Sequence, residues 1–478
     1  MQQDKPGSGG ETLTYRTVGH AIDQSPVTRP MIGVIIITAL ASLFDAGDAY
    51  MLGFVIPGIG KEFNAKPEAL GLLGFASLIG MTTGSFIWGW IADKWGRKIA
   101  FTVTLLMFSV FSGICGFAPT LAFLIGARFA AGIGIGGAVP VDASILAEFA
   151  PARIRGYSTG AMPIAWPVST FVVSAVSLFI LPRWGWRGLF FAFVLPALLT
   201  FWIRRNVPES PRWLANRGRF AEARKALNYL QISDEAIERS RIAVQNEPPL
   251  PMLPPAVFRD LFTPQMRGRT IHTWLLWILP QMAAWALTTW LPKLFMQLYG
   301  TTLKQAVTYM LYISLLSIVG RFMVYFLSEK VGRKLFIVVG FTVSGIAICC
   351  GSVATTAAQL LWIACLIRLF SEIGVCGATI YTPEVFPLQV RVLGASTSMG
   401  LGRIGGAIGA GAVGLFVGAG HFTGMWLFLG AGSVIMGVAT IWFGIEPKGQ
   451  NLEQLNKEGT EGAAQIRKPE SAAALSGK

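Results

Sequence analysis

Stretches of about twenty apolar residues follow one another along almost the whole chain, and they limit the possible fold more than any other feature. A helix that crosses the ~30 Å hydrocarbon core of a bilayer needs about that length. Inside lipid every backbone polar group must be bonded within the protein, and helices achieve this by themselves. Only 13% of the 478 residues are charged, against roughly 25% in soluble domains. The sequence therefore predicts an all-α integral membrane protein.

Twelve membrane spans are predicted, six on either side of a polar segment. The predicted spans are 31–58, 70–92, 99–118, 120–146, 157–181, 188–206, 269–298, 303–328, 335–355, 357–381, 392–418 and 421–445. They divide the chain into a cytoplasmic N-terminal tail (1–30), a six-helix bundle (31–206), a cytoplasmic linker (207–268), a second six-helix bundle (269–445) and a cytoplasmic C-terminal tail (446–478). Within the linker we predict an amphipathic helix at 220–231, followed by a Pro-rich stretch at 247–255.

The net charge of +14 is distributed in a way that indicates membrane topology rather than nucleic-acid binding. Basic residues concentrate in the linker and in short loops at 94–98, 153–155 and 330–334, which alternate with sparsely charged loops. Because basic loops stay in the cytoplasm, both termini are expected there. Residues 1–30 lack the apolar core of a signal peptide. The expected location is the lipid bilayer of the plasma membrane, specifically a bacterial inner membrane.

No group of residues in the sequence indicates catalysis, a metal site or a cofactor. The five cysteines lie in apolar segments without a CxxC pair, and the three histidines are scattered. A nucleotide-binding GxxxxGK[ST] motif is absent from the sequence. We therefore expect a protein that is not an enzyme, that holds no metal or cofactor, and that is not driven directly by ATP.

The two halves of the chain repeat one pattern. GWIADKWGRK (89–98) precedes YFLSEKVGRK (325–334) by 236 residues, and EFAPARIR (148–155) precedes EVFPLQVR (384–391) by the same number. Arg128 and Arg368 match at a separation of 240. A tandem repeat of six spans is typical of secondary transporters that bind their substrate between the halves.

Four motifs resemble signatures of the major facilitator superfamily. GWIADKWGRK is similar to the loop signature between the second and third spans, and RFAAGIGIGG (128–137) to the fourth-span motif. VPESPRWL (207–214) and IEPKGQNLE (445–453) resemble two signatures of the sugar-porter-like branch, although Ile445 and Pro447 depart from the second. The resemblance covers residues 31–453 and implies the major facilitator fold, with twelve transmembrane helices in two six-helix bundles, alternating access and a monomer.

The two loop motifs are expected to act as gates at the cytoplasmic surface. In the superfamily such a loop holds the halves together when the protein is open to the outside. Its charged residues can form a network, and its glycines permit a tight turn and close helix approach. The alternative is a positively charged loop without a gating role. The candidate gating residues are Gly89, Asp93, Gly96, Arg97, Lys98, Glu148, Arg155, Glu329, Arg333, Glu384 and Arg391.

Two acids interrupt the apolar first span. Asp45 and Asp48 share one helix face in the stretch FDAGDAY, although a charge at the bilayer centre costs at least ~2.5 kcal/mol. Burial and like charge favour a protonated carboxyl, so either acid is a candidate for carrying a proton and for contacting substrate. The alternative is a polar pair that packs the bundle. Asp142 near the cytoplasmic end of the fourth span suits proton exit or gating, or simply belongs to the loop charges.

Arg403 lies deep in the eleventh span, among the glycines of SMGLGRIGGAIGA (398–410). Its permanent charge and planar guanidinium suit bidentate capture of a carboxylate. The alternative, a salt bridge to an aspartate of the first span, is compatible with that role. Arg128 is expected near the outer start of its span, within reach of solvent. The superfamily ties this arginine to energy coupling, and a snorkelling side chain is the alternative.

The seventh span supplies further candidate substrate contacts. At a separation of 236, Gln281 takes the place of Asp45, and Trp285 follows on the same helix face. Together with Trp166 of the fifth span, Trp285 is a candidate for stacking on a planar ring. Tryptophan is also common at membrane interfaces, which is the competing interpretation.

DAGD (45–48) and GLGRIG (400–405) resemble motifs of the aromatic acid:proton symporters, although Ala46 replaces a glycine. GGAVPVDASILAEFAP (136–151) and the first span also resemble the branch of niacin transporters and synaptic-vesicle-like proteins. These resemblances imply proton-coupled uptake of a small organic anion, an aromatic or heteroaromatic carboxylate such as a benzoate or nicotinate, with the proton gradient as energy source. Alternatives are a sugar:proton symporter, an organic cation or drug transporter, and a receptor that does not transport.

Overall fold

A computed structural model describes residues 13–155, 162–246, 257–387 and 389–446, apart from a few side chains. Within these ranges ten helices are long and apolar enough to cross a membrane. The prediction of an all-α membrane protein is confirmed. The Pro-rich stretch at 247–255 and most of the C-terminal tail lie outside the described residues.

The first half is built from α2 to α7, preceded by a short helix outside the predicted spans. Thr28 and Thr120 begin α2 and α5 by accepting hydrogen bonds from backbone N–H groups in the first turn, at 3.5 and 3.3 Å. The helices are α1 (Tyr15–Gln24), α2 (Arg29–Glu62), α3 (Pro67–Trp95), α4 (Arg97–Gly116), α5 (Leu121–Phe149), α6 (Ala165–Ala192) and α7 (Ala197–Asn206).

Three short helices of the linker separate this half from the second, which repeats its layout. The linker helices are α8 (Pro211–Asn216), α9 (Phe220–Tyr229) and α10 (Asp234–Asn246). The second half consists of α11 (Arg267–Tyr299), α12 (Leu303–Val331), α13 (Arg333–Cys350), α14 (Ala357–Val385), α15 (Arg391–Gly418) and α16 (Phe422–Phe443).

The fifth and sixth predicted spans are the least regular part of the first half. Helical geometry is interrupted inside α6 at Gly185, whose φ of 61° is accessible to glycine at little cost. A turn at residues 193–196 then separates α6 from α7, which begins after Pro196. Proline lacks a backbone N–H and so cannot continue the preceding helix. The predicted sixth span is therefore divided between two helices.

The halves contact each other mainly through α3 with α15 and α6 with α12. A Cβ on Gly414 would lie 3.1 Å from the Cα of Gly71, and a Cβ on Gly53 would overlap the carbonyl oxygen of Thr288 in α11. Arg97 and Arg333 lie at one end of the helices, and we call this the basic-loop end of the molecule. The glycine contacts lie far from it. The halves are thus closed at the opposite end.

The part of the N-terminal tail that the structure describes is docked rather than free. Asp23 of α1 accepts hydrogen bonds from Arg155 after α5 and, at 2.6 Å, from Arg212 of the linker helix α8. Thr28 donates to the backbone carbonyl of Leu230 at 2.9 Å. The tail and the linker therefore form one layer beneath the first half at the basic-loop end.

Candidate functional site

A cavity of about 200 Å³ lies between the two halves. Its deepest lining residues are near the middle of α11 and α14, and its lining continues along α5, α14 and α15 toward the basic-loop end. Because the halves are closed at the other end, the cavity faces the basic-loop end. The lining residues are Tyr50, Val139, Met162, Pro163, Trp166, Trp277, Gln281, Ala284, Trp285, Thr288, Arg321, Arg368, Ser371, Glu372, Val375, Thr379, Met399 and Arg403.

Three aromatic rings from both halves meet at the cavity wall. The ring of Tyr50 in α2 lies 5.6 Å from Trp166 in α6 and 5.4 Å from Trp285 in α11, between centroids. The two indoles lie 6.1 Å apart at an interplanar angle of 89°. Edge and tilted contacts of this kind are favourable between aromatic side chains. We call these residues the aromatic triad; it offers ring faces and edges to a planar ligand.

Among the described residues, four charged side chains line the cavity, and three of them are arginines. Glu372 of α14 accepts a hydrogen bond from Arg321 of α12, and its other carboxylate oxygen lies 3.3 Å from Nη2 of Arg368. Arg368 also donates to Ser317 and Thr288 at 3.2 and 3.4 Å. One carboxylate therefore faces two guanidinium groups, and the cavity has an excess of positive charge.

The third arginine, Arg403, makes no hydrogen bond or ion pair with any residue that the structure describes. The glycines of its helix bring α15 against α11: a Cβ on Gly402 would lie 3.2 Å from the ring of Trp277, and a Cβ on Gly405 would overlap the backbone of Ile278. Arg403 and Gln281 both line the cavity. A cavity arginine without a described counter-charge is a strong anion-binding group.

The structure brings together four of the predicted substrate contacts and separates the other two from them. Arg403, Gln281, Trp285 and Trp166 all line the cavity, whereas the two acids of the first span do not. Both acids are buried inside the first half, with exposed fractions of 2% for Asp45 and 0% for Asp48.

Asp48 is held by Arg128 rather than facing the cavity. Oδ2 of Asp48 lies 2.8 Å from Nη1 of Arg128, and its other oxygen accepts a hydrogen bond from Ser112 of α4. Arg128 also donates to Ser77 at 3.3 Å. The expectation that Arg128 lies within reach of solvent is wrong, because its side chain is 0% exposed. The aspartate allows this arginine to be buried.

Asp45 lies close to Asp142 of α5, within electrostatic range. Ser42 of α2 donates a hydrogen bond to Oδ2 of Asp142. One oxygen of each aspartate is buried without a hydrogen-bond partner. The two carboxyl groups therefore form a second acidic site in the first half, separate from the Asp48–Arg128 pair.

The contacts of the two repeat-related arginines correct the alignment of the first and seventh spans. Arg128 bonds Ser77 and Asp48, and the matching residue Arg368 bonds Ser317 and Thr288. All three pairs are separated by 240 residues. Gln281 is therefore not the counterpart of Asp45, because the same register places Trp285 there. The loop motifs of the two halves match at a separation of 236 residues, whereas the residues inside the helices match at 240. The difference of four residues is about one helical turn.

The loop motif of the first half is tied to its own bundle and to the linker. Arg97 lies 3.0 Å from Asp93 and 2.9 Å from Glu148, measured between charged atoms. The backbone N–H groups of Arg97 and Lys98 donate to Glu209 at 2.8 and 3.2 Å. Gly96, with φ of 111°, makes the turn that positions these groups. The carboxylate thus caps α4 at its positive end.

The second half repeats this arrangement. Arg333 lies 3.1 Å from Glu384, and the N–H groups of Arg333 and Lys334 donate to Glu446 at 3.2 and 3.1 Å. The glutamates of the VPES and IEP motifs are therefore equivalent caps. The side chain of Glu329 lies outside the described residues.

One detail of the predicted gate differs from expectation. Gly89 does not permit a close helix approach, because a Cβ there would have open space within 4 Å; this also explains why the second half tolerates Tyr325. Within the charge network, Glu148 pairs with Arg97, and Arg155 bonds Asp23 and the carbonyl of Ala150. Arg391 likewise donates to the carbonyl of Phe386 at 3.3 Å.

Several residues of the site were missed in the sequence. Arg321 and Glu372 are single charges inside apolar spans, which was a usable signal, and Glu372 follows Arg368 by one helical turn. Tyr50 gave no such signal, since tyrosine is not exceptional in a membrane helix. The capping role of Glu209 and Glu446 depends on chain segments more than 100 residues away.

Comparison with known proteins finds a family model, sequence relatives and solved structures that each match most of the chain. The family model described as "Sugar (and other) transporter" matches residues 35–458. The niacin transporter NiaP of Acinetobacter baylyi is 30% identical over 393 residues, 80% of this chain and 87% of that protein. The synaptic vesicle 2-related protein of Xenopus laevis is 28% identical over 454 residues, 87% and 79%. The inward open conformation of the xylose transporter XylE from E. coli has a TM-score of 0.73 at 18% identity, covering 90% of this chain and 99% of that chain.

Proposed function

We propose that this chain, which belongs to the Sugar (and other) transporter family of the major facilitator superfamily, is a proton-coupled symporter for uptake of a small organic anion. The proposed substrate class is an aromatic or heteroaromatic carboxylate such as nicotinate or benzoate. The observation that carries the proposal is the charge of the central cavity, which three arginines and one carboxylate line beside the aromatic triad.

The cavity matches each part of such a substrate. Arg403 has no other described partner, so its guanidinium is available for a bidentate pair with a carboxylate. Gln281 lines the same cavity, and its amide can bond a ring nitrogen or a carboxylate oxygen. Trp166 and Trp285 can then contact the ring, which a planar aromatic acid presents on the opposite side from its carboxylate. The 30% identity to a niacin transporter supports the same class of acid.

The proton is assigned to the buried acids of the first half. Asp45 is the favoured carrier, with Asp142 as its neighbour, because each has a carboxylate oxygen without a partner and the described residues place no arginine or lysine against them. Asp48 is the less favoured candidate, because it already forms an ion pair with Arg128 at 2.8 Å. We assign to the Asp48–Arg128 ion pair the role of transmitting conformational change between the fourth and first spans.

Transport follows alternating access, with no cofactor beyond the proton gradient. The arrangement described above corresponds to a state in which the cavity faces the basic-loop end, the proposed cytoplasmic side of a bacterial inner membrane. In the opposite state the loop residues around Asp93 and Arg97 would close that end, and the glycine contacts at Gly53 and Gly71 would open. A monomer contains the whole pathway.

Sugar uptake is the second candidate, since the family description and the structural likeness to a xylose transporter favour it. Gln281 and Thr288 could bond hydroxyl groups. Three cavity arginines have no function toward a neutral sugar, however, and they repel an organic cation or cationic drug. The anion is therefore the better match to the site.

Binding and uptake measurements distinguish these candidates. Purified protein is tested by thermal shift with nicotinate, benzoate, xylose and an organic cation at two pH values, because a ligand raises the unfolding temperature according to its affinity. Proteoliposomes are then tested for uptake of the bound compound with and without an inward proton gradient. We expect stabilisation by an aromatic acid and gradient-driven uptake. Stabilisation by xylose alone would overturn the proposal.

A further inference from the structure

Glu372 occupies the cavity in the manner of a bound carboxylate. Its two oxygens face two different arginines, Arg321 and Arg368, and the side chain of Glu372 is only 5% exposed. Nε of Arg321 remains buried without a hydrogen-bond partner, and the 3.3 Å contact from Nη2 of Arg368 to Glu372 is an ion pair without hydrogen-bond geometry. The two guanidinium groups therefore keep donor capacity that a second carboxylate could use.

The fold itself does not require this glutamate. In the register set by the arginine contacts, Met81 and Gly132 of the first half take the places of Arg321 and Glu372. A Cβ on Gly132 would overlap the carbonyl oxygen of Ser77, so the first half has no room for an acid there. Its arginine is neutralised from the first span by Asp48 instead. The acid on α14 is a property of the half that holds the anion site.

We propose that Glu372 is an internal competitor of the substrate: it neutralises Arg321 and Arg368 in the empty cavity, and the substrate carboxylate, which pairs with Arg403 in the same cavity, also attracts these two arginines and displaces Glu372 from them. The inference rests on the proposed function, since it assumes that the ligand is an anion. Displacement requires no bond to break other than hydrogen bonds. Glu372 lines the cavity and can turn toward cavity water when the substrate replaces it. This competition weakens the binding of every anion to the cavity and so favours release of the substrate after transport.

The test compares an acid with its uncharged amide. Purified full-length protein is titrated by calorimetry with nicotinate or benzoate, whichever the wild-type chain binds, and with nicotinamide or benzamide. We expect Glu372→Gln to bind the acid about tenfold more tightly, because the competing negative charge is gone and charge-assisted hydrogen bonds become available. Affinity for the amide should not improve. Glu222→Gln, which removes the charge of an exposed glutamate in the linker helix α9 outside the cavity, is the matched control and should change neither.

A purely structural glutamate predicts the opposite sign. In that case Glu372→Gln would leave two buried arginines uncompensated, distort the cavity and weaken binding of the acid, which would overturn the inference. If this variant does not fold, Glu372→Asp keeps the charge but shortens its reach by one methylene group. Tighter binding of the acid by Glu372→Asp supports the inference, and unchanged or weaker binding overturns it. A wild-type protein that binds neither acid would overturn the proposed function itself.

Discussion

Arg128 and Asp48 form an ion pair of 2.8 Å in which both side chains are 0% exposed. Removing one partner of such a pair leaves an uncompensated buried charge and typically costs about 3–5 kcal/mol. We therefore expect Asp48→Asn to lower the melting temperature strongly in a thermal unfolding assay. Thr288→Val, at the equivalent position of the second half, removes only a 3.4 Å hydrogen bond and should have a much smaller effect. Combining Asp48→Asn with Arg128→Gln should recover part of the loss; no recovery would contradict a mainly electrostatic origin.

Arg403 should determine the affinity for the anion. Arg403→Lys keeps the charge but loses the planar fork that binds two carboxylate oxygens at once. We expect its dissociation constant for nicotinate to rise at least about tenfold, as the loss of one charge-assisted hydrogen bond implies. Met399→Leu, one turn earlier on α15 and also in the cavity wall, is the control. Equal affinity of wild-type and Arg403→Lys protein in calorimetry would remove Arg403 from the site.

Trp285 should contribute ring contacts rather than charge. Trp285→Ala removes a member of the aromatic triad and should weaken binding of the aromatic acid about two- to tenfold, since aromatic pairs contribute about 0.5–1.5 kcal/mol. Trp285→Phe keeps a ring and should retain most of the affinity. An aliphatic acid of similar size, measured in the same titration, should be less affected by either change. Equal losses for aromatic and aliphatic acids would contradict ring stacking.

Gly53 should be needed for closure at the end opposite the basic loops. A side chain at this position would overlap the backbone carbonyl of Thr288, so Gly53→Val should force α2 away from α11. We expect slower uptake and greater labelling of cysteines introduced near that end by a membrane-impermeant reagent. Gly33→Val on the same helix is the matched control, because open space surrounds that position within 4 Å. Unchanged labelling in Gly53→Val would show that this contact does not close the pathway.

Glu209 should make stability depend on pH. Burial raises the pKa of its carboxyl above the ordinary value, although the backbone N–H groups at the start of α4 oppose this. A carboxyl that binds its proton more tightly in the folded chain contributes stability that is complete below the unfolded pKa and is lost as pH rises through the folded pKa. The melting temperature should therefore rise as pH falls from neutral toward the ordinary pKa of a glutamate carboxyl, and Glu209→Gln should reduce that rise. Glu222→Gln, at an exposed acid, should leave it intact.

Hydropathy, the repeat and the loop motifs were sufficient to predict the fold, because a membrane helix is determined by local composition. The cavity was predicted only in part. Arg403, Gln281 and the two tryptophans were recognised from their depth along single helices. Depth alone could not show that Arg128 is buried, because Asp48 comes from another helix 80 residues away. The same limit hid the contact between Arg321 and Glu372, which brings two helices together.

The arginines of the central cavity also have an electrical consequence. Moving one unit charge across a potential of 100 mV changes the free energy by about 2.3 kcal/mol. With three arginines and one glutamate, the part of its lining that the structure describes carries a net charge of +2. In a cell whose interior is negative, the membrane voltage would hold the empty carrier facing inward and slow its return, while a bound anion would weaken that hold. The rate of the transport cycle would then depend on the voltage across the membrane as well as on the proton gradient.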